Sequence, residues 1–219
     1  MVPAGRLKRG GFPSIGEEIA NTVSHGVGLV AALIATPFLV LGVIRRGDAA
    51  SITGAAVFAG SVILLYLAST LYHALPESTA KRLFRIIDHS AIFLLIAGTY
   101  TPFTLGILRG GWGWMLFAVV WTLAVAGIVL KAVGGIRHHA FSTMLYVGMG
   151  WVALVAIRPL WVRIPVSGWL WLIAGGVAYT AGVAFFACDR RLRYAHLVWH
   201  MFVLVGTSCH FVAVLRYAV

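Results

Sequence analysis

The sequence predicts an all-α membrane protein, a bundle of seven transmembrane helices with the N-terminus in the cytoplasm and the C-terminus outside. Three observations carry that reading. Of 219 residues, 61% are hydrophobic and 11% charged, and the mean hydropathy is +0.95, which leaves too little charge to cover a water-soluble domain. Apolar runs long enough to cross a bilayer recur from residue 20 to the end of the chain. The 17 basic residues lie almost entirely in the short breaks between these runs and at the chain ends. That distribution belongs to orientation in a membrane, so the net charge of +11 does not imply a nucleic-acid partner.

The runs fall at 20–44, 51–75, 86–108, 112–133, 139–157, 166–188 and 195–216. The breaks after them read RRGDAAS, PESTAKRLFR, RGGWG, KAVGGIRHH, RPLWVRIP and CDRRLR. Each break combines a Lys or Arg with turn-forming Gly, Pro, Ser or Asp. Connections this short make consecutive helices neighbours, in a single domain over 1–219 whose residues 1–16 form a basic cytoplasmic segment. Pro37 and Pro102 fall inside runs and are expected to kink them. The first 19 residues hold no apolar core, so no cleavable signal peptide is expected. Cys188 and Cys209 sit near opposite ends of adjacent spans, too far apart for a disulfide. Trp112, Trp114 and Trp169 are expected at the membrane interfaces. Gly26, Gly28, Gly127, Gly148, Gly175 and Gly176 are expected to let helices pack closely.

Charge sets the direction. Arg6, Lys8, Arg9, Lys81, Arg82, Arg85, Lys131, Arg137, Arg190, Arg191 and Arg193 fall on one side, eleven in all. Arg45, Arg46, Arg109, Arg158, Arg163 and Arg216, six in all, fall on the other. The richer side faces the cytoplasm, which puts the N-terminus inside.

That direction assigns depth to the polar residues. The second span ends near His73, the third starts at Asp88, and the seventh carries His196 and His200 in its first turns. All four then lie near the cytoplasmic leaflet. His196 and His200 are four residues apart, so their imidazoles share one helix face and can bind one metal ion. His73 supplies a third imidazole, with the Ser69 hydroxyl one turn before it. Three His ligands leave the fourth position of a tetrahedral zinc open for water, which Asp88 can hold. The bland alternatives are interhelical hydrogen bonding for the histidines, an N-cap for Asp88, and a bond from Ser69 to its own helix backbone. Glu18, Asn21 and His25 share a face of the first span, beside the site. His25 is either a ligand or part of a hydrogen-bond network there. Glu17 is read as a charge complementing the helix dipole. His210 lies ten residues beyond His200, about 15 Å along the helix, so it belongs to the bundle or a cavity rather than to the cluster. His89, His138 and His139 are expected at loop edges, in water.

Four motifs in one order, EEIANTVSH, Ser69–His73, RIIDHSAIFLLIAGTYTPF and His196–His200, cover nearly the whole chain. With them the sequence resembles the hemolysin III family, the bacterial branch of the progestin and adipoQ receptor family. The resemblance implies seven transmembrane helices, an inside N-terminus, and Zn2+ held by His73, His196 and His200 with Asp88 close to it. The family's likeness to membrane ceramidases implies a hydrolase of lipid amide or ester bonds, acting in membrane-lipid homeostasis. The chain shows none of the long N-terminal domain of the eukaryotic receptors, which sets hormone binding aside.

The first expectation is therefore an intramembrane zinc hydrolase of the bacterial inner or plasma membrane, with Asp88 and Ser69 as catalytic groups and Glu18, Asn21 and His25 supporting the ligands. Its partners are membrane lipids, with a homo-oligomer also open because small-residue faces can pack between chains. The alternative is a non-enzymatic sensor of membrane state with structural zinc. A cytolytic pore, which the family name suggests, draws little support from a permanently embedded chain.

Overall fold

The computed structural model describes residues 13–134, 139–189 and 191–218. They form α1 (Ile15–Ile44), α2 (Ala49–Ala74), α3 (Thr79–Leu105), α4 (Gly111–Gly134) and α5 (His139–Trp151). A 3₁₀ stretch (Val152–Ala156) then leads into α6 (Ile157–Arg163), followed by α7 (Val166–Ala187) and α8 (Ala195–Tyr217). Among the described residues, seven helical spans are long and apolar enough to cross a membrane, one of them the composite Ala140–Arg163.

Polar residues extend several helices beyond the apolar runs. Ser14 caps α1 through a capping box with Glu17, so the helix starts at Ile15 rather than at 20. Glu17 thus has a specific partner as well as a favourable place in the helix dipole. Ser78 caps α3 by accepting from the Lys81 N–H at 3.1 Å, and α3 starts at Thr79 rather than at 86. The N-cap reading of Asp88 is therefore wrong: Asp88 lies well inside the helix. His89, also expected in water, is buried there with its Nδ1 2.7 Å from the Arg85 carbonyl. α6 runs through most of the segment RPLWVRIP, so the break between spans narrows to Ile164 and Pro165. Pro159 falls in the first turn of α6, where its missing N–H is not needed. Residues 1–12 of the basic segment, His138, and the side chain of His139 lie outside the described residues.

The helices pack in chain order: α1 on α2, α2 on α3, and α3 on α4. α8 packs against both α7 and α1, and α5 touches α3, α4 and α7 more lightly. The burial pattern suits lipid. On α1, Ile19, Val23, Val27, Val30, Ile34 and Phe38 are exposed, while Asn21, Ser24, His25 and Gly28 are buried. Trp112 and Trp114 are exposed at the start of α4, as interfacial residues should be, whereas Trp169 is buried against Trp161.

Without a hydrophobic force between helices in lipid, close contact decides the packing. A Cβ on Gly54 would lie 2.6 Å from the Pro102 Cα, so α2 and α3 touch backbone to backbone. Gly127 makes room for the Phe93 ring in the same way, but a Cβ on Gly148 would meet nothing within 4 Å among the described residues. Gly54→Ala should cost about 1–3 kcal/mol, because backbone cannot yield to the added methyl. Gly60→Ala, at a position with nothing within 4 Å, should be neutral or stabilise by up to about 1 kcal/mol through helix propensity. Denaturant unfolding of the two variants in detergent checks the contrast, and equal effects would refute it.

Candidate metal centre

The site forms where α1, α2, α3 and α8 meet, at the end of the bundle where α1 begins. One carboxylate aligns α1 with α8: Glu17 Oε1 accepts from the Tyr194 N–H at 3.0 Å. Tyr194 precedes α8 with φ 58, in the left-handed region that an aromatic residue seldom enters. This tie delivers His196 and His200 beside α1 within the first two turns of α8.

One ligating nitrogen from each of His73, His196 and His200 lies within 4.8 Å of the others, close enough for the three residues to hold a metal ion. Two of the rings are held by a hydrogen bond at Nδ1, and the third stands near a carboxylate there. His73 Nδ1 stands 2.6 Å from Glu18 Oε2, His200 Nδ1 2.9 Å from Ser24 Oγ, and His196 Nδ1 3.5 Å from Asp189 Oδ2. Carboxylates only accept, so Nδ1 of His73 carries the hydrogen, and Asp189 favours the same tautomer for His196. The Ser24 hydroxyl gives its own proton to the Asn21 carbonyl at 2.8 Å, so it too accepts from the imidazole. The Nε2 lone pairs are thereby left for a ligand, and His73 Nε2 is buried with no hydrogen-bond partner among the described residues. Imidazoles oriented by outer acceptors are the donor set a divalent metal takes, so the residues fit such an ion.

Glu18 does more than orient His73. Its second oxygen accepts from Lys81 Nζ at 2.9 Å, and Lys81 also donates to the Leu75 carbonyl at 3.0 Å. The carboxylate thus joins α1, α2 and α3. Ser69, expected beside His73, instead places its hydroxyl 2.7 Å from His25 Nδ1. The His25 ring stacks on His200 with centroids 3.6 Å apart, but His25 is not one of the three convergent residues. Asn21 is buried and serves through its backbone carbonyl, while its side-chain oxygen has no partner among the described residues. Asp88 is buried on α3 and faces Ser69 and His196.

Sequence reasoning overlooked Ser24, Asp189 and Lys81. Ser24 is a polar residue inside an apolar run, next to His25, and that was its signal. Asp189 stands seven residues before His196, at the same end of the bundle. Lys81 was read only as a loop charge, and nothing local distinguishes it from Arg82.

A cavity of about 110 Å³ runs from this site between α3, α5, α7 and α8. Asp88, His196 and His200 line one end, Leu95, Val183 and Val203 the middle, and His210 a deeper part of the wall. Gly150 on α5 and Thr180 on α7 line it and are exposed, so it opens sideways toward lipid.

The sequence pattern described as "Haemolysin-III related" matches residues 14–211. The chain is 44% identical over 201 residues to "Hemolysin-3" of Bacillus cereus, covering 92% of this chain and 91% of that one. It is 41% identical over 206 residues to "Hemolysin-3 homolog" of Bacillus subtilis (strain 168), covering 94% and 96%. "Monocyte to macrophage differentiation factor" of Homo sapiens is 24% identical over 214 residues, covering 94% and 86%.

Purified protein, prepared without chelators, should carry about one divalent metal per chain by mass spectrometry. His73→Ala, His196→Ala and His200→Ala should each lose it, and His210→Ala should keep it. Glu18→Gln and Ser24→Ala should weaken binding by about 10–100-fold in chelator competition, because each frees an oriented ring. Folded wild type without metal would reduce the cluster to interhelical hydrogen bonding.

Proposed function

Because the chain belongs to the haemolysin-III-related family and is a multi-pass protein of the bacterial cell membrane, we propose that it is a zinc-dependent hydrolase of lipid amide or ester bonds. The observation that carries this reading is the juxtaposition of three convergent imidazoles and a buried carboxylate with an apolar cavity open toward lipid. Zinc is the proposed metal, since an all-imidazole donor set suits it near neutral pH. The site faces the cytoplasm in this reading, as the eleven-to-six division of basic residues directs.

When bound, zinc supplies Lewis acidity, polarising a carbonyl and acidifying water. The chain's own residues do the rest. The walls around Leu95, Val183 and Val203 bind the acyl chain and keep bulk water out. An Asp88 carboxylate oxygen takes the proton from the attacking water and returns it to the departing amine or alcohol. Ser69 accepts from His25 Nδ1–H and donates to the Asp88 carboxylate, so it orients the general base beside the ligands. Glu18, Ser24 and Asp189 hold the imidazoles in the tautomer that presents Nε2.

A second reading, a membrane-state sensor with structural zinc, rests on His25. Its Nε2 is buried without a partner among the described residues, and a structural site needs a fourth protein ligand. Asp88 separates the two. Asp88→Asn should reduce hydrolysis of a lipid amide or ester by about 10²–10⁴-fold while metal content stays at one per chain. Metal-loaded wild type inactive across a panel of lipid amides and esters, together with metal loss in His25→Ala, would replace the hydrolase by the sensor.

A further inference from the structure

His210 has no part in the metal centre, yet it lines the same cavity. It sits ten residues along α8 from His200, about 15 Å deeper. Its ring leans on Gly175 of α7, where any Cβ would strike it, so its position is fixed. Nε2 stands 3.3 Å from the Leu172 carbonyl. A carbonyl only accepts, so in the neutral ring Nε2 carries the hydrogen and Nδ1 is a bare acceptor. Nδ1 is buried and has no hydrogen-bond partner among the described residues.

The other polar side chains in this deeper part of the cavity are already engaged. Tyr100 donates to the Met149 and Gly150 carbonyls and accepts from the Ala153 N–H. Trp151 donates to Thr180, which donates to the Gly176 carbonyl. Thr99 bonds to the Leu95 carbonyl, and Tyr179 pairs with Thr207 at 2.7 Å. Among the described residues lining this part of the cavity, His210 Nδ1 is the buried side-chain atom that makes no hydrogen bond at all.

We propose that His210 is a specificity residue that selects acyl chains carrying a hydroxyl group about a dozen carbons from the carbonyl at the metal centre. The inference rests on the lipid-hydrolase reading for where the carbonyl sits. A mid-chain hydroxyl supplies the missing donor in a place where an unpaired polar group is costly. A ketone at the same carbon supplies only another acceptor and gains nothing. A hydroxyl near the carbonyl end lies too far away to help.

The test is displacement of a fluorescent fatty acid from the protein in nanodiscs, which needs no turnover. 12-Hydroxyoctadecanoate should bind about fivefold tighter than octadecanoate, 12-oxooctadecanoate or 3-hydroxyoctadecanoate. His210→Phe, which keeps a ring against Gly175 but removes the acceptor, should bind all four alike. Wild type binding the four within twofold, or a hydroxyl preference that survives in His210→Phe, overturns the proposal and leaves the hydrolase reading standing. The wild-type series decides by itself if the variant does not fold. Absence of binding by every octadecanoid would overturn both.

Discussion

Hydrocarbon does not solvate charge, and the carboxylate of Glu18 meets that constraint in one place. It lies between an imidazole of α2 and an ammonium of α3, with one oxygen for each. An acid in α1 with neither partner would carry a desolvation cost of several kcal/mol. Both partners must therefore be delivered before α1 can settle, and their delivery fixes how the first three helices stand. The outer face of α1 adds little to this, because lipid is as apolar as its exposed Val and Ile side chains. Its buried strip of Asn21, Ser24, His25 and Gly28 determines where it sits.

The same contacts shape the site. Glu18 places the hydrogen of His73 on the nitrogen facing away from the cluster, and Ser24 does so for His200. Structural bonds and site bonds are thus the same bonds, so damage to one cannot be kept from the other. The cavity follows from the looser packing of α5 beside the tight α1–α2–α3 and α7–α8 layers. Where helices touch through glycine there is no room for a ligand, and where α5 stands off there is.

The opposite end of the bundle works by other means. Asp48 caps α2 and forms a two-pronged pair with Arg109, which ties the α1–α2 connection to the α3–α4 connection. The Arg109 guanidinium holds the Asp48 carboxyl well below the usual carboxylate range. Both groups are exposed, so water screens the pair and it contributes modestly to stability. Arg46 donates to the Leu215 carbonyl and joins the same end to α8. These contacts close the bundle without the desolvation that makes Glu18 decisive.

The sequence by itself determined the spans and the three converging histidines. Hydropathy records which segments can lie in lipid, and four-residue spacing records which imidazoles share a face. It misplaced the helix starts at Ile15 and Thr79, because capping serines extend a helix through polar residues that hydropathy reads as loop. That error made Asp88 look like a cap. The tertiary structure alone decided that Ser69 serves His25, that Asp189 and Ser24 orient ligands, and that Lys81 rather than Arg82 finds Glu18. A spacing rule sees one helix at a time. Those pairings depend on the rotation and depth of two helices together, which are set by backbone contacts such as Gly54 on Pro102 and by the bonds themselves.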